Sequence, residues 1–308
     1  MTSTASSGRK AALSILAGMT TLGISDNLLA IITETSSLWQ FHLIRGVMVL
    51  AILIAAAALG WGSLRPKRFW AVFGRSALQA GAMLIYFGCL ALMPIGVVVA
   101  GLFTAPLFVL LISVIFQGKR VGAWRIVAIL IGFAGALLVI RPDPSALDPI
   151  AFLPVFAGLL YAIGAVATRA WCADESTMTL TFCFFVLLAI FGAIGVSVLP
   201  STASGAEGFP LRGWMPLTWS MIGWYVVQSI GAVIGILCIF RGYLLGEASR
   251  VAVFEYSLLV FASFWAWVMW GQTVPALALV GMAMIVVAGI IITVRSDGPE
   301  ERGAAPLP

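Results

Sequence analysis

Charge is what this sequence has least of. Lys, Arg, Asp and Glu together make up 9% of its 308 residues, against 62% hydrophobic residues. A soluble domain carries about 25% charged residues, so an ordinary water-facing surface is excluded. The chain also has one histidine, His42, and four scattered cysteines, Cys89, Cys172, Cys183 and Cys238. That pattern suits neither a disulfide framework nor a set of metal ligands, so no metal site is expected. No G-x-x-x-x-G-K-[S/T] loop occurs, which excludes direct drive by ATP, and no cofactor is implied. No nucleophile triad stands out, and an intramembrane enzyme remains only as a remote alternative.

What is present is apolar length. Mean hydropathy is +1.10. A hydrocarbon core of roughly 30 Å takes about 20 helical residues to cross. Ten stretches reach that length: 11–33, 37–59, 70–92, 96–116, 122–141, 150–172, 177–199, 217–240, 251–270 and 273–294. The expected fold class is an all-α polytopic membrane protein of ten transmembrane helices. The links between spans are short, which leaves no room for a soluble catalytic domain.

The net charge of +5 reports orientation. Ten spans put both termini on one side. Of the 17 Lys and Arg residues, only Arg141 and Arg212 then fall on the opposite side, with Arg45 inside a span. The positive-inside rule accordingly predicts cytoplasmic termini. The same scatter over separate loops argues against a nucleic-acid partner. Trp61, Trp70, Trp124 and Trp171 near one set of helix ends, with Trp39, Trp214, Trp219 and Trp270 near the other, form the expected interfacial belts. The basic start and apolar run of residues 1–30 are too long and, at Asp26-Asn27, too polar for a signal peptide, so an uncleaved first span is expected.

A weak duplication divides the chain. Gly118-Lys119-Arg120-Val121-Gly122-Ala123 matches Gly271-Gln272-Thr273-Val274-Pro275-Ala276, Gly135 pairs with Gly289, and Arg141 pairs with Arg295. Leu92 to Gly96 aligns with Leu245 to Ser249. Small and branched residues recur by chance in apolar helices, but an odd number of spans per half forces the second copy to enter the membrane inverted. The expected organisation is a cytoplasmic tail over 1–10, five-helix repeats over 11–145 and 146–295, and a second cytoplasmic tail over 296–308. Two inverted five-helix repeats are a ground plan of secondary transporters.

The local sequence resembles the EamA-type transporters of the drug/metabolite transporter superfamily. The resemblance rests on Phe103-Thr104-Ala105-Pro106-Leu107-Phe108-Val109, then Gly118 to Gly122, then Gly132-Phe133-Ala134-Gly135. Ser25-Asp26, Trp39-Gln40-Phe41 and Arg45-Gly46 are similar to one bacterial branch, as are Phe254-Glu255-Tyr256-Ser257 and Trp270-Gly271. It spans roughly residues 12–295. It implies a central cavity reached alternately from two sides and export of amino acids or related metabolites from the bacterial inner membrane. Uptake of a nucleoside-like compound such as S-adenosylmethionine is the alternative. Three positions depart from the pattern: Lys119 and Gln272 replace an acidic residue that often follows the glycine, and Ala30 replaces a lysine that often follows the first-span aspartate.

Polar residues inside the spans are the candidate site. Burying an unpaired charge at a helix centre costs at least ~2.5–3.5 kcal/mol, so each must face a partner or a wet cavity. Asp26 and Arg45 fall about 10–12 Å below the same membrane surface on consecutive antiparallel spans. An ion pair follows, either as a clamp between helices or as a site where Arg45 binds a substrate carboxylate and Asp26 releases. Glu255 with Tyr256 offers a carboxylate for a substrate amine or a coupling proton, or merely reaches the interface. Gln79 and Gln228 occupy corresponding mid-membrane positions, suited to substrate groups or to helix–helix hydrogen bonds. His42 lies nearer the outer end of its span; Tyr86, Tyr161 and Trp267 are aromatic candidates for a cavity wall. Pro106 should kink the fourth span.

Overall fold

The computed structural model describes residues 2–89, 92–93, 95–118, 121–142, 150, 152–201 and 208–295. Lys119, Arg120, the join between halves at 143–149 and the tail over 296–308 lie outside the described residues. In chain order the helices are α1 (Thr2–Asn27), α2 (Leu29–Thr35), α3 (Leu38–Ala58), α4 (Phe69–Cys89), α5 (Ile95–Leu102), α6 (Ala105–Ile115) and α7 (Ala123–Ile140). There follow α8 (Phe152–Trp171), α9 (Thr177–Val198), α10 (Trp219–Leu245), α11 (Ala248–Val251), a 3-10 segment (Ala252–Tyr256), α12 (Ser257–Trp270) and α13 (Ala276–Arg295). Merged end to end, α1–α2, α5–α6 and α11–α12 each make one rod, giving ten rods among the described residues of an all-helical membrane protein.

Eight of these helices are long and apolar enough to cross a membrane. The first rod and α4 have lower hydropathy, because α1 carries several Ser and Thr with Asp26, and α4 carries Arg75 and Gln79. The expected boundaries shift at several places, among them α10, which runs five residues past the expected 240 to Leu245. Helix α1 starts at Thr2, so the stretch 2–10, expected as a tail, continues the helix. The ninth rod starts at Ala248, three residues before the expected 251.

Local chemistry fixes the helix ends. Ser37, Ser176 and Thr218 cap α3, α9 and α10, each accepting a backbone N–H three residues on. Pro106 sits in the first turn of α6, where its missing N–H would have no intrahelical partner anyway. The fourth span is consequently broken before the proline, at Phe103–Thr104, rather than bent at it. The ninth rod is interrupted at the matching place, by the 3-10 segment that holds Glu255. Gly118 and Gly271, matched in the duplication, both take positive φ, 61° and 63°.

The packing repeats the duplication. α1 packs on α10 and α4 on α8; α3 packs on α9, and α7 on α13. In rod order these are first with eighth, third with sixth, second with seventh and fifth with tenth. Exchanging every rod with the one five places along leaves this pattern unchanged. The pairs are antiparallel: Ser7, Ser14 and Ser25 of α1 meet Leu245, Cys238 and Gln228 in turn. At the fifth–tenth crossing, a Cβ on Gly135 would lie 2.6 Å from the Gly281 carbonyl oxygen, and one on Gly281 2.5 Å from that of Gly135. Two glycines therefore allow backbone contact where a side chain would force the helices apart.

The end carrying the N-terminus, called here the terminal end, is tied across several helices. Arg125 Nη1 of α7 meets Glu247 Oε1 at 2.9 Å and donates to Ser249 Oγ at 2.9 Å. Arg169 of α8 donates to the Gly246 carbonyl at 2.6 Å, and Ser7 to that of Leu245 at 2.9 Å. At the far end, Arg212 Nε donates to the Ser36 carbonyl at 2.7 Å, and Trp39 Nε1 to that of Pro210 at 2.8 Å.

Candidate substrate cavity

A cavity of about 330 Å³ opens inside the bundle. Residues from α1 to α6, from α8 to α10, from the 3-10 segment and from α12 line it, while α7 and α13 contribute none. The two symmetric breaks, Phe103–Pro106 and the 3-10 segment, reach its wall from opposite halves. Broken helices are tolerated at membrane depth where they line a cavity, because freed backbone groups then meet water or ligand.

Six polar side chains stand on an otherwise apolar wall: Asp26, Asn27, Arg45, Tyr86, Tyr161 and Glu255. Arg45 is 8% exposed, and its guanidinium carbon lies 4.3 Å from the Phe41 ring centroid, with Phe87 at 5.6 Å and Phe185 at 5.7 Å. This aromatic cradle holds a cation without neutralising it. Asp26 is open to the lumen at the last turn of α1, where the helix dipole disfavours an anion, so the Arg45 charge across the cavity offsets a local penalty. The ion pair expected from their equal depth is not closed. The two side chains share one cavity with no hydrogen bond or ion pair within 4 Å between them, and Arg45 Nε has no hydrogen-bond partner among the described residues. Glu255 accepts a 2.7 Å hydrogen bond from the Tyr161 hydroxyl on the floor of the cavity. Asn27 bridges the Gly23 and Ala262 carbonyls at 2.7 and 3.0 Å, tying α1 to α12.

Of the residues singled out in the sequence, Asp26, Arg45, Tyr86, Tyr161 and Glu255 converge on this space. The others are placed elsewhere. His42 is fully buried, edge-on to Phe87 with ring centroids 5.2 Å apart, behind the cavity wall rather than in it. Gln228 Nε2 donates to the Ser25 carbonyl at 2.5 Å, and Gln79 packs against Gly164, so both amides sit in helix–helix seams. Tyr256 points away from its neighbour Glu255, into a notch at Gly132, and stacks on Phe103 at 5.8 Å. Trp267 is 57% exposed on the outer surface beside Phe264 rather than in the cavity, since residues 264, 267 and 268 of α12 share the outward face. The role of Asn27 was not separable from ordinary helix packing by sequence, because a lone amide carries no periodic signal.

Residues 9–141 match the EamA-like transporter family. Among characterised proteins, the chain is 25% identical to a riboflavin transporter of Rhizobium johnstonii, over 93% of each chain. It is 26% identical to a pseudopaline exporter of Pseudomonas aeruginosa, over 73% of this chain and 75% of that one. It is 22% identical to an S-adenosylmethionine uptake transporter of Rickettsia felis, over 68% and 69%. A crystal structure at 18% identity superposes with a TM-score of 0.74 over 94% of this chain and 98% of that one, which shows a shared fold.

Proposed function

We propose that this chain, which belongs to the EamA-like transporter family, exports amino acids and amino-acid-like metabolites across the bacterial inner membrane by alternating access. That it is a transporter rather than an enzyme follows from the family and from relatives that carry solutes in both directions. The observation that carries the substrate class is the cavity's charge layout. Arg45 offers a fork for a carboxylate, Asp26 and Glu255 offer anions for an amine, and the rest of the wall is apolar. A zwitterion with an apolar body satisfies all three surfaces. The two-fold exchange of rods supplies the means of alternation, because each half can adopt the other's conformation. The scarcity of Lys and Arg at the far end supports cytoplasmic termini.

A second substrate reading has its own support. Tyr86 and Phe87 form an aromatic wall on which a planar ring can stack, and riboflavin and S-adenosylmethionine are carried by relatives. Counterflow in proteoliposomes separates the two. Labelled L-phenylalanine should exchange, and riboflavin should not. Stimulation by a pH gradient would assign a coupling proton to Asp26 or Glu255, and indifference would assign uncoupled exchange. Riboflavin exchange without amino-acid exchange would overturn the first reading.

A further inference from the structure

The cavity floor is Tyr161 and Glu255, but a second buried cation lies beyond it. Arg75 of α4 has no exposed surface. Its Nε donates to Thr168 Oγ1 of α8 at 2.8 Å, and its guanidinium carbon stands 3.7 Å from the Phe240 ring centroid of α10. Nη1 and Nη2 have no hydrogen-bond partner among the described residues. A cation serving only to pack three helices would be expected to have its donors filled, because a buried unpaired charge is destabilising. Here Nε is fixed, while Nη1 and Nη2, the pair that can bind a carboxylate in bidentate fashion, are buried without a partner among the described residues.

Its position matches that of Arg45. Arg45 stands seven residues into α3 from the far end, and Arg75 six residues into α4 from the terminal end. At about 1.5 Å per residue, both lie roughly 10 Å deep, measured from opposite ends of the bundle. Each is clamped over a phenyl ring, Phe41 or Phe240. Arg45 faces the lumen, whereas Arg75 is sealed from it. Thr168, its anchor, is two helical turns beyond Tyr161 on the same face of α8.

We infer that Arg75 is a second binding station for the substrate's carboxylate, exposed when the bundle opens at its terminal end. The anionic group leaves Arg45, passes the Tyr161–Glu255 floor as that contact parts, and is received by Nη1 and Nη2 of Arg75. This rests on the alternating-access reading, and it assigns that cycle a specific acceptor on the side opposite the present cavity.

Site-resolved labelling of the wild-type protein with a membrane-impermeant sulfonated phenylglyoxal, added to one side of vesicles of known orientation, tests it without a substitution. Arg75 should label only from the terminal side. L-Phenylalanine and S-adenosylmethionine, which carry a carboxylate, should slow that labelling at least threefold, and riboflavin, which has none, should not. No labelling from the terminal side while exposed Arg169 labels freely would overturn the station, as would labelling that neither carboxylate solute slows. Counterflow with Arg75 inert would sink the station and leave transport standing. Protected labelling without counterflow of any solute would do the reverse. In a second arm, Arg75→Lys should raise KM for L-phenylalanine about tenfold from the terminal side and less than twofold from the far side. Equal losses on both sides, matched by Thr168→Val, would assign Arg75 to packing alone.

Discussion

Two buried arginines, Arg125 and Arg45, sit in regions built on different rules. Arg125, 3% exposed, is met by Glu247 and Ser249, and together they tie α7 to the α10–α11 corner. Arg45, 8% exposed, has three phenyl rings around it, a carboxylate across the lumen and no closed ion pair. Burial alone therefore does not separate a structural charge from a working one. A buried cation whose donors are spent on fixed partners stabilises one geometry. A buried cation held by ring faces keeps its donors for a ligand that comes and goes, and the bundle offsets the cost with Asp26 opposite.

The contrast is broken most severely at Arg45. Arg45→Ala should cut L-phenylalanine exchange by roughly 10- to 100-fold, the scale of one charge-assisted hydrogen bond of about 1.5–3 kcal/mol, with expression retained or reduced. Wild-type flux in that variant would remove Arg45 from the site. Gly135→Leu comes next and should spare the cavity chemistry while wedging α7 from α13. A destabilisation of about 1–3 kcal/mol is expected, read as a lower midpoint of thermal unfolding in detergent. An unchanged midpoint would mean that the crossing has slack.

Glu247→Gln tests the paired region. Glu247 keeps 25% exposure, so the loss should fall below the 3–5 kcal/mol of a fully buried pair. The expected readout is a several-fold faster reaction of buried Cys172, at the terminal end of α8, with an impermeant maleimide. Protection equal to wild type would show that the other ties hold that end alone. The smallest effect belongs to Trp267→Ala, which should leave exchange within twofold. A larger loss would place that outward ring in contact with the transport path.

The sequence by itself determined that the chain is an all-helical membrane protein, how many rods it has, and, apart from the early start of α1 at Thr2, where they begin and end to within about five residues. Span length and hydropathy are local properties set by bilayer thickness, so no tertiary knowledge was needed. It also marked Asp26, Arg45 and Glu255, because an ionisable residue within an apolar run has few places to go. What it did not determine is facing. Glu255 and Tyr256 are neighbours, yet one lines the cavity and the other fills a glycine notch on α7. In a chain surrounded by lipid, outward and inward faces are both apolar, so the usual hydrophobic periodicity that tells them apart is erased, and Trp267 could not be distinguished from Tyr86. Arg75 shows the same limit. Near the start of a span it reads as an interfacial charge, and only the packing of α8 and α10 around α4 enclosed it, gave it Thr168 and Phe240, and left Nη1 and Nη2 without a partner among the described residues.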